Sequence, residues 1–144
     1  MGVINFMCPQ NLATCIKGRK AMVFSHHLGL SLDGSSRTTL FRQVAGSPGQ
    51  ILDYWYWGHA HNAAVYKPQG KFHGRVCGHG AIPYGNATIL ENSMVEWYEN
   101  SQPYPPASNL RIKNGFVVVE LNGPNITEHL MDEDGCVSWS SSHC

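Results

Sequence analysis

The chain has 144 residues, enough for one ordinary domain, and its 42% hydrophobic content supplies a core and excludes wholesale disorder. Only 14% of residues are charged, ten basic against ten acidic, and the one tight basic group is Lys17, Arg19 and Lys20, so no nucleic-acid footprint is present. No stretch approaches the roughly 20 apolar residues of a membrane span, and no basic-then-apolar leader opens the sequence, which makes a cytoplasmic location the default expectation.

Residues 1–20 are irregular, broken by Pro9 and Gly18, with room for a short helix near Gln10–Ile16. Ala21–Ser25 is a compact apolar run that reads as a buried strand, and His26 and His27 follow it directly. Ser35–Ala45 carries Leu40, Phe41 and Val44 at helical spacing, with Asp33, Ser35 or Ser36 available as caps. Ile51–Trp57 is aromatic-rich and reads as a second strand, running into Gly58-His59-Ala60-His61. Two short strands are expected at Ala63–Tyr66 and Arg75–Cys77, with a turn at Lys67–Gly70 between them. Gly78–Gly85 is a glycine-rich loop, and residues 86–109 carry little pattern. In the last third Asn114-Gly115 is a hairpin signal. Phe116–Leu121, Ile126–Met131 and Cys136–Ser140 are expected to form an antiparallel meander. The chain therefore divides into a histidine-bearing part (20–85), an irregular part (86–109) and closing antiparallel strands (110–144), within one partial domain.

Histidines just beyond strand ends are suggestive because ligands gather outside the carboxyl ends of parallel strands. His59 and His61, two residues apart, can reach one metal or two neighbouring ones. Gly58 would remove a Cβ where backbone crowds the site. Neutral imidazole suits Zn, Mn, Fe, Ni and Co alike, so histidine alone does not choose the metal. His73 and His79 are expected as surface or loop residues, and Asp53 and Asn62 take no assigned role.

Ser25-His26-His27 after a hydrophobic strand, Trp57-Gly58-His59-Ala60-His61-Asn62 after the next, and the Arg75–Tyr84 strand and loop together resemble the late motifs of calcineurin-like metallophosphoesterases. The resemblance covers about residues 20–85 in order and spacing. It implies an α/β fold: the C-terminal, strand-rich portion of a four-layer α/β/β/α metallophosphatase-like sandwich. It implies that His26 and His59 ligate one metal, that His61 ligates the other, and that His27 lies near the substrate phosphate. The implied activity is metal-dependent hydrolysis of a phosphate ester, with two divalent ions (Mn, Fe, Zn, Ni or Co) once the site is complete. The family's early motifs, Asp-x-His, Gly-Asp-x-x-Asp and Gly-Asn-His-Asp/Glu, have no counterpart, since residues 1–25 contain no Asp, Glu or His. The expected partners are thus a phosphate-ester substrate and either a missing N-terminal half or further copies of this chain, meeting at exposed sheet edges. Alone, the chain is expected to hold at most one weakly bound ion and to be inactive or nearly so.

Two other classes compete. One is a non-catalytic binding or interaction module derived from the same fold; the aromatic run Tyr54–Trp57 could suggest a sugar-stacking face for it, but buried strand residues explain that run better. The other is a structural zinc protein built from cysteines with His143. The five cysteines, at positions 8, 15, 77, 136 and 144, match no disulfide scaffold. The gaps of Cys8/Cys15 and Cys136/Cys144 exceed usual zinc half-site spacing.

Overall fold

The computed structural model describes residues 18–45, 52–82, 88–103 and 111–143. They form a strand-rich α/β structure with one mixed and one antiparallel sheet and little helix. The mixed sheet has the order β1 (Met22–Ser25), β2 (Tyr54–Trp57), β4 (His73–Cys77), β3 (Ala63–Tyr66) and β5 (Val95–Tyr98). β1, β2 and β4 run parallel, whereas β3 pairs antiparallel with both β4 and β5. Parallel neighbours need a crossover, and the segment joining β1 to β2 contains helix α1 (Thr39–Ala45). The second sheet is the expected meander, β6 (Gly115–Asn122), β7 (Asn125–Asp132) and β8 (Val137–His143), all antiparallel.

Side-chain alternation stacks these elements. Trp55 and Trp57 point to one face of the mixed sheet, where Phe41, Val44 and Ala45 of α1 complete a core with Val76 and Tyr66. Tyr54 and Tyr56 point to the other face and meet Ile126, Val117 and Val119 of the second sheet. Further along the same gap, Ala63 and Val65 pack with Leu130, Trp97 and Trp139. All four residues of β2 are buried. The aromatic run is therefore core on both faces and offers no sugar-stacking surface.

A buried ionic link crosses the gap between the sheets. Arg75 of β4 donates from Nε (2.9 Å) and Nη2 (2.8 Å) to the two carboxylate oxygens of Glu128 on β7, and Tyr56 donates its hydroxyl to Glu128 at 2.7 Å. Both charged side chains are essentially inaccessible, and the Trp139 ring lies 5.2 Å from the guanidinium. Burial, reinforced by Glu128, pushes the Tyr56 phenol far above its ordinary range.

Several sequence expectations need correction. α1 begins at Thr39, and its cap is Thr38, whose Oγ1 accepts the Phe41 N–H at 3.2 Å. Asp33 and Ser35 instead close the preceding turn, with the Asp33 carboxylate accepting from Ser31 and Ser35. Asn114-Gly115 is not a hairpin turn: Gly115 opens β6, and the Asn114 amide donates to the carbonyls of His79 and Ala81. The β6–β7 reversal falls where the sequence joins the two strands, at Asn122–Asn125, and is made by Gly123, at φ 59°, and Pro124. Residues 86–109 contain an unanticipated strand, β5, which closes one edge of the mixed sheet. The short helix expected near Gln10–Ile16 lies outside the described residues. Among the described residues no helix is long and apolar enough to cross a membrane.

Candidate metal centre

The parallel pairing of β1 with β2 places Ser25 beside Trp57, so the next residues of both strands leave the sheet side by side. Gly58 N–H continues the ladder to the Ser25 carbonyl at 3.2 Å. Ser25 then fixes the first loop: its hydroxyl accepts the Trp55 indole N–H at 2.8 Å and donates to the His27 carbonyl at 2.7 Å. The serine of the Ser-His-His run is thus a strut between the core and the histidine loop.

His26, His27 and His59 converge at this point, each with a ring nitrogen within 4.8 Å of the others. Their ring centroids stand 4.9 to 5.1 Å apart, and all three rings are exposed to solvent. His59 Nδ1 lies 3.1 Å from His26 Nε2. Two nitrogens bound tetrahedrally to one zinc at about 2.05 Å stand about 3.3 Å apart. The His26–His59 contact is an ordinary ring-to-ring hydrogen bond, and its length is also close to the separation of two ligands on one ion. Three imidazoles with an open side match the donor set of a zinc site that keeps one position for water. No carboxylate belongs to the group.

His59 is held there by an unusual backbone. Its φ is 54°, the one positive value at a non-glycine among the described residues, and Ala60 N–H closes a three-residue turn on the Gly58 carbonyl at 2.6 Å. Such conformations cost roughly 1–3 kcal/mol and collect at functional sites. The neighbouring loop supplies the support. Gly78 N–H donates to the Asn62 carbonyl at 2.9 Å, and a Cβ at Gly78 would fall 1.8 Å from the Ala60 carbonyl oxygen. A Cβ at Gly58 would meet nothing nearer than 3.8 Å. The glycine demanded by close packing is therefore Gly78, not Gly58.

His61 does not join the three-ring group. Its Nδ1 lies 2.9 Å from the Ile82 carbonyl. A carbonyl can only accept, so Nδ1 is the donor in this contact, the kind of backbone contact that orients metal-ligating histidines. His27, foreseen beside the substrate, sits within the cluster itself. Asp53 is at the opposite end of β2, accepting the Ala21 N–H at 2.8 Å. Asn62 is buried, with its backbone engaged by Gly78.

His79 lies in the expected loop but is buried there, and His73 lies half-buried within β4. His79 is 1% exposed, and burial holds its pKa below the ordinary imidazole value, partly opposed by Glu99. It packs where a Cβ at Gly115 would come within 2.5 Å of its Nε2. His73 stacks on Tyr54 with ring centroids 4.8 Å apart. Of the cysteines, Cys77 is free and half-buried, its thiol pushed up to about 11 by burial, and Cys136 is free and exposed. Cys8, Cys15 and Cys144, needed for a cysteine zinc site, lie outside the described residues.

No family model matches this chain, and no curated protein matches it. A similar solved structure is described as "GAP50 the anchor in the inner membrane complex of Plasmodium", with a TM-score of 0.64 and 19% sequence identity over 90% of this chain. The likeness is one of fold. The chain spans 38% of the length of that protein.

Proposed function

We propose that this chain is the C-terminal half of a metal-dependent phosphoric ester hydrolase of the calcineurin-like metallophosphoesterase type, acting with an N-terminal half that supplies carboxylate ligands. The observation that carries this reading is the convergence of His26, His27 and His59 from the ends of two parallel strands. His26 and His59 would hold one ion, and His61, its ring oriented through Ile82, would ligate a second. His27 would stand beside the first ion, near the phosphate. Bound divalent ions supply Lewis acidity and a water of lowered pKa for attack at phosphorus. The histidine loops hold those positions, with Ser25 and Gly78 keeping the loops still.

Two further observations support a missing half. The cluster holds no carboxylate, and a solved structure of similar fold is far longer than this chain. The described layers run helix, sheet, sheet, and Phe116 and Val137 stand more than half exposed on the second sheet. An outer helical layer there would complete a four-layer α/β/β/α sandwich. Phe24, 70% exposed on the edge strand β1, marks the side where strands of a second half, or of another copy, would add.

The second reading is a non-catalytic module of the same fold, favoured by a cluster made of imidazole alone. Hydrolysis of bis(p-nitrophenyl) phosphate with Mn²⁺ separates the two. The chain alone should be inactive or nearly so. Mixed with an N-terminal half bearing Asp-x-His and Gly-Asp-x-x-Asp, it should turn over substrate, and His59→Ala should abolish that turnover. A stable, metal-loaded complex of the two halves without hydrolysis would leave the module reading standing.

A further inference from the structure

A second opening lies at the other pole of the mixed sheet, where β1, β2 and β4 begin. It is a cleft of about 1000 Å³ between those strand starts and the β6–β7 hairpin. Met22 lines one side and Leu121 and Pro124 the other, with the nearly inaccessible Tyr54 and Ile126 behind them and His73 at the floor of the strand starts. Leu121 is 67% exposed, a large apolar surface left facing this opening. Tight turns frame the lips, with Gly123 at φ 59° and Gly70 at φ 67°, so the shape is preformed by the backbone.

The charge at the mouth is one-sided. Arg19, Lys20 and Lys71 border the cleft, three of ten basic residues in a chain of zero formal net charge. All three are exposed, and none makes an ion pair among the described residues. The one carboxylate of the lining, Asp53, turns Oδ2 to the Ala21 N–H at 2.8 Å. Of the other described cations, Arg75, Arg111 and Lys113 are in ion pairs, whereas Arg37, Arg42 and Lys67 are not.

We propose that this cleft is a binding site for an organic anion with a flat apolar body. The body lies against Met22, Leu121 and Pro124, and the anionic group meets Arg19, Lys20 and Lys71. Apolar walls carrying a few convergent polar groups are the ordinary make-up of a small-molecule site. The anion supplies the countercharge that the cations lack within the described structure.

The probe is 2-naphthoate, titrated into the intact chain by calorimetry and by ¹H–¹⁵N NMR. It has no ester to hydrolyse, so the outcome is independent of the hydrolase reading. Saturable binding is expected, with shift changes confined to residues near 20–22, 53–54, 71–73 and 121–126. The neutral analogue 2-naphthol should bind at least about tenfold more weakly, and the double variant Lys20→Glu, Lys71→Glu should lose at least about tenfold, as expected for lost charge-assisted contacts. These two lysines are exposed, so the variant should keep the wild-type circular dichroism. His26→Ala should bind the probe unchanged. The proposal is overturned by no saturable binding at millimolar probe, by equal affinity for 2-naphthol, by an unaffected double lysine variant, or by shifts centred on residues 26–27 and 59–61.

Discussion

Replacing Glu128 tests the link that joins the two sheets. In the native fold this carboxylate accepts three hydrogen bonds, two from Arg75 and one from Tyr56, with no access to water. Glu128→Ala removes all three acceptor contacts and leaves the guanidinium buried. Arginine cannot shed its proton to escape, so the full penalty of an uncompensated buried charge applies, about 3–5 kcal/mol. For a domain of this size that corresponds to a fall in Tm of roughly 6–20 °C. Glu128→Gln keeps one acceptor oxygen but sets an amide NH₂ against the guanidinium, and should lie between wild type and alanine. The double variant Arg75→Met, Glu128→Leu removes both charges and should recover most of the loss, since well-packed apolar replacements of buried pairs are often neutral or stabilising. Urea denaturation of the four proteins measures these differences. If Glu128→Ala costs less than about 1 kcal/mol, or if the double variant is as unstable as the single, the link is not a buried charge pair and the reasoning fails.

Three further outcomes are expected. Gly78→Ala drives a Cβ into the Ala60 carbonyl and should displace the His59 turn, lowering zinc affinity by roughly 10–100-fold in calorimetric titration, the range seen when support behind a ligand is lost; Gly58→Ala, with no close neighbour, should leave affinity within a few-fold of wild type, and the opposite ranking would refute the assignment. His59→Ala should weaken zinc binding more than Gly78→Ala, because it removes a ligand rather than its support. His79 has a depressed folded pKa because burial opposes its charge, so its share of stability is intact above 6.5, the ordinary value, and is lost as pH falls below that toward the folded value, where the unfolded chain takes up the proton first. Urea denaturation at pH 7.5 and 5.5 should therefore show a smaller pH effect in His79→Gln than in wild type.

What could be read from the chain one stretch at a time was the identity of most strands. Ala63–Tyr66 appears with its expected bounds, and the closing meander emerges because period-two alternation and a glycine turn are properties of neighbouring residues. The strand-end positions of His26, His27 and His59 were visible for the same reason. β5 was not, because four residues with a glutamate among them are recognisable only beside β3.

The remaining features needed the folded chain. His26 and His59 are 33 residues apart, Arg75 and Glu128 are 53, and Tyr56 and Glu128 are 72. Their meeting follows from the parallel register of β1 with β2 and the stacking of two sheets, which nearest-neighbour preferences do not encode. The same holds for the positive φ of His59 and for the choice of Gly78 over Gly58 as the tight glycine. Local composition governs where a strand runs and where it stops. Which loops then share a crevice is set by long-range pairing, since only packing supplies the free energy to hold a strained turn and a buried charge in place.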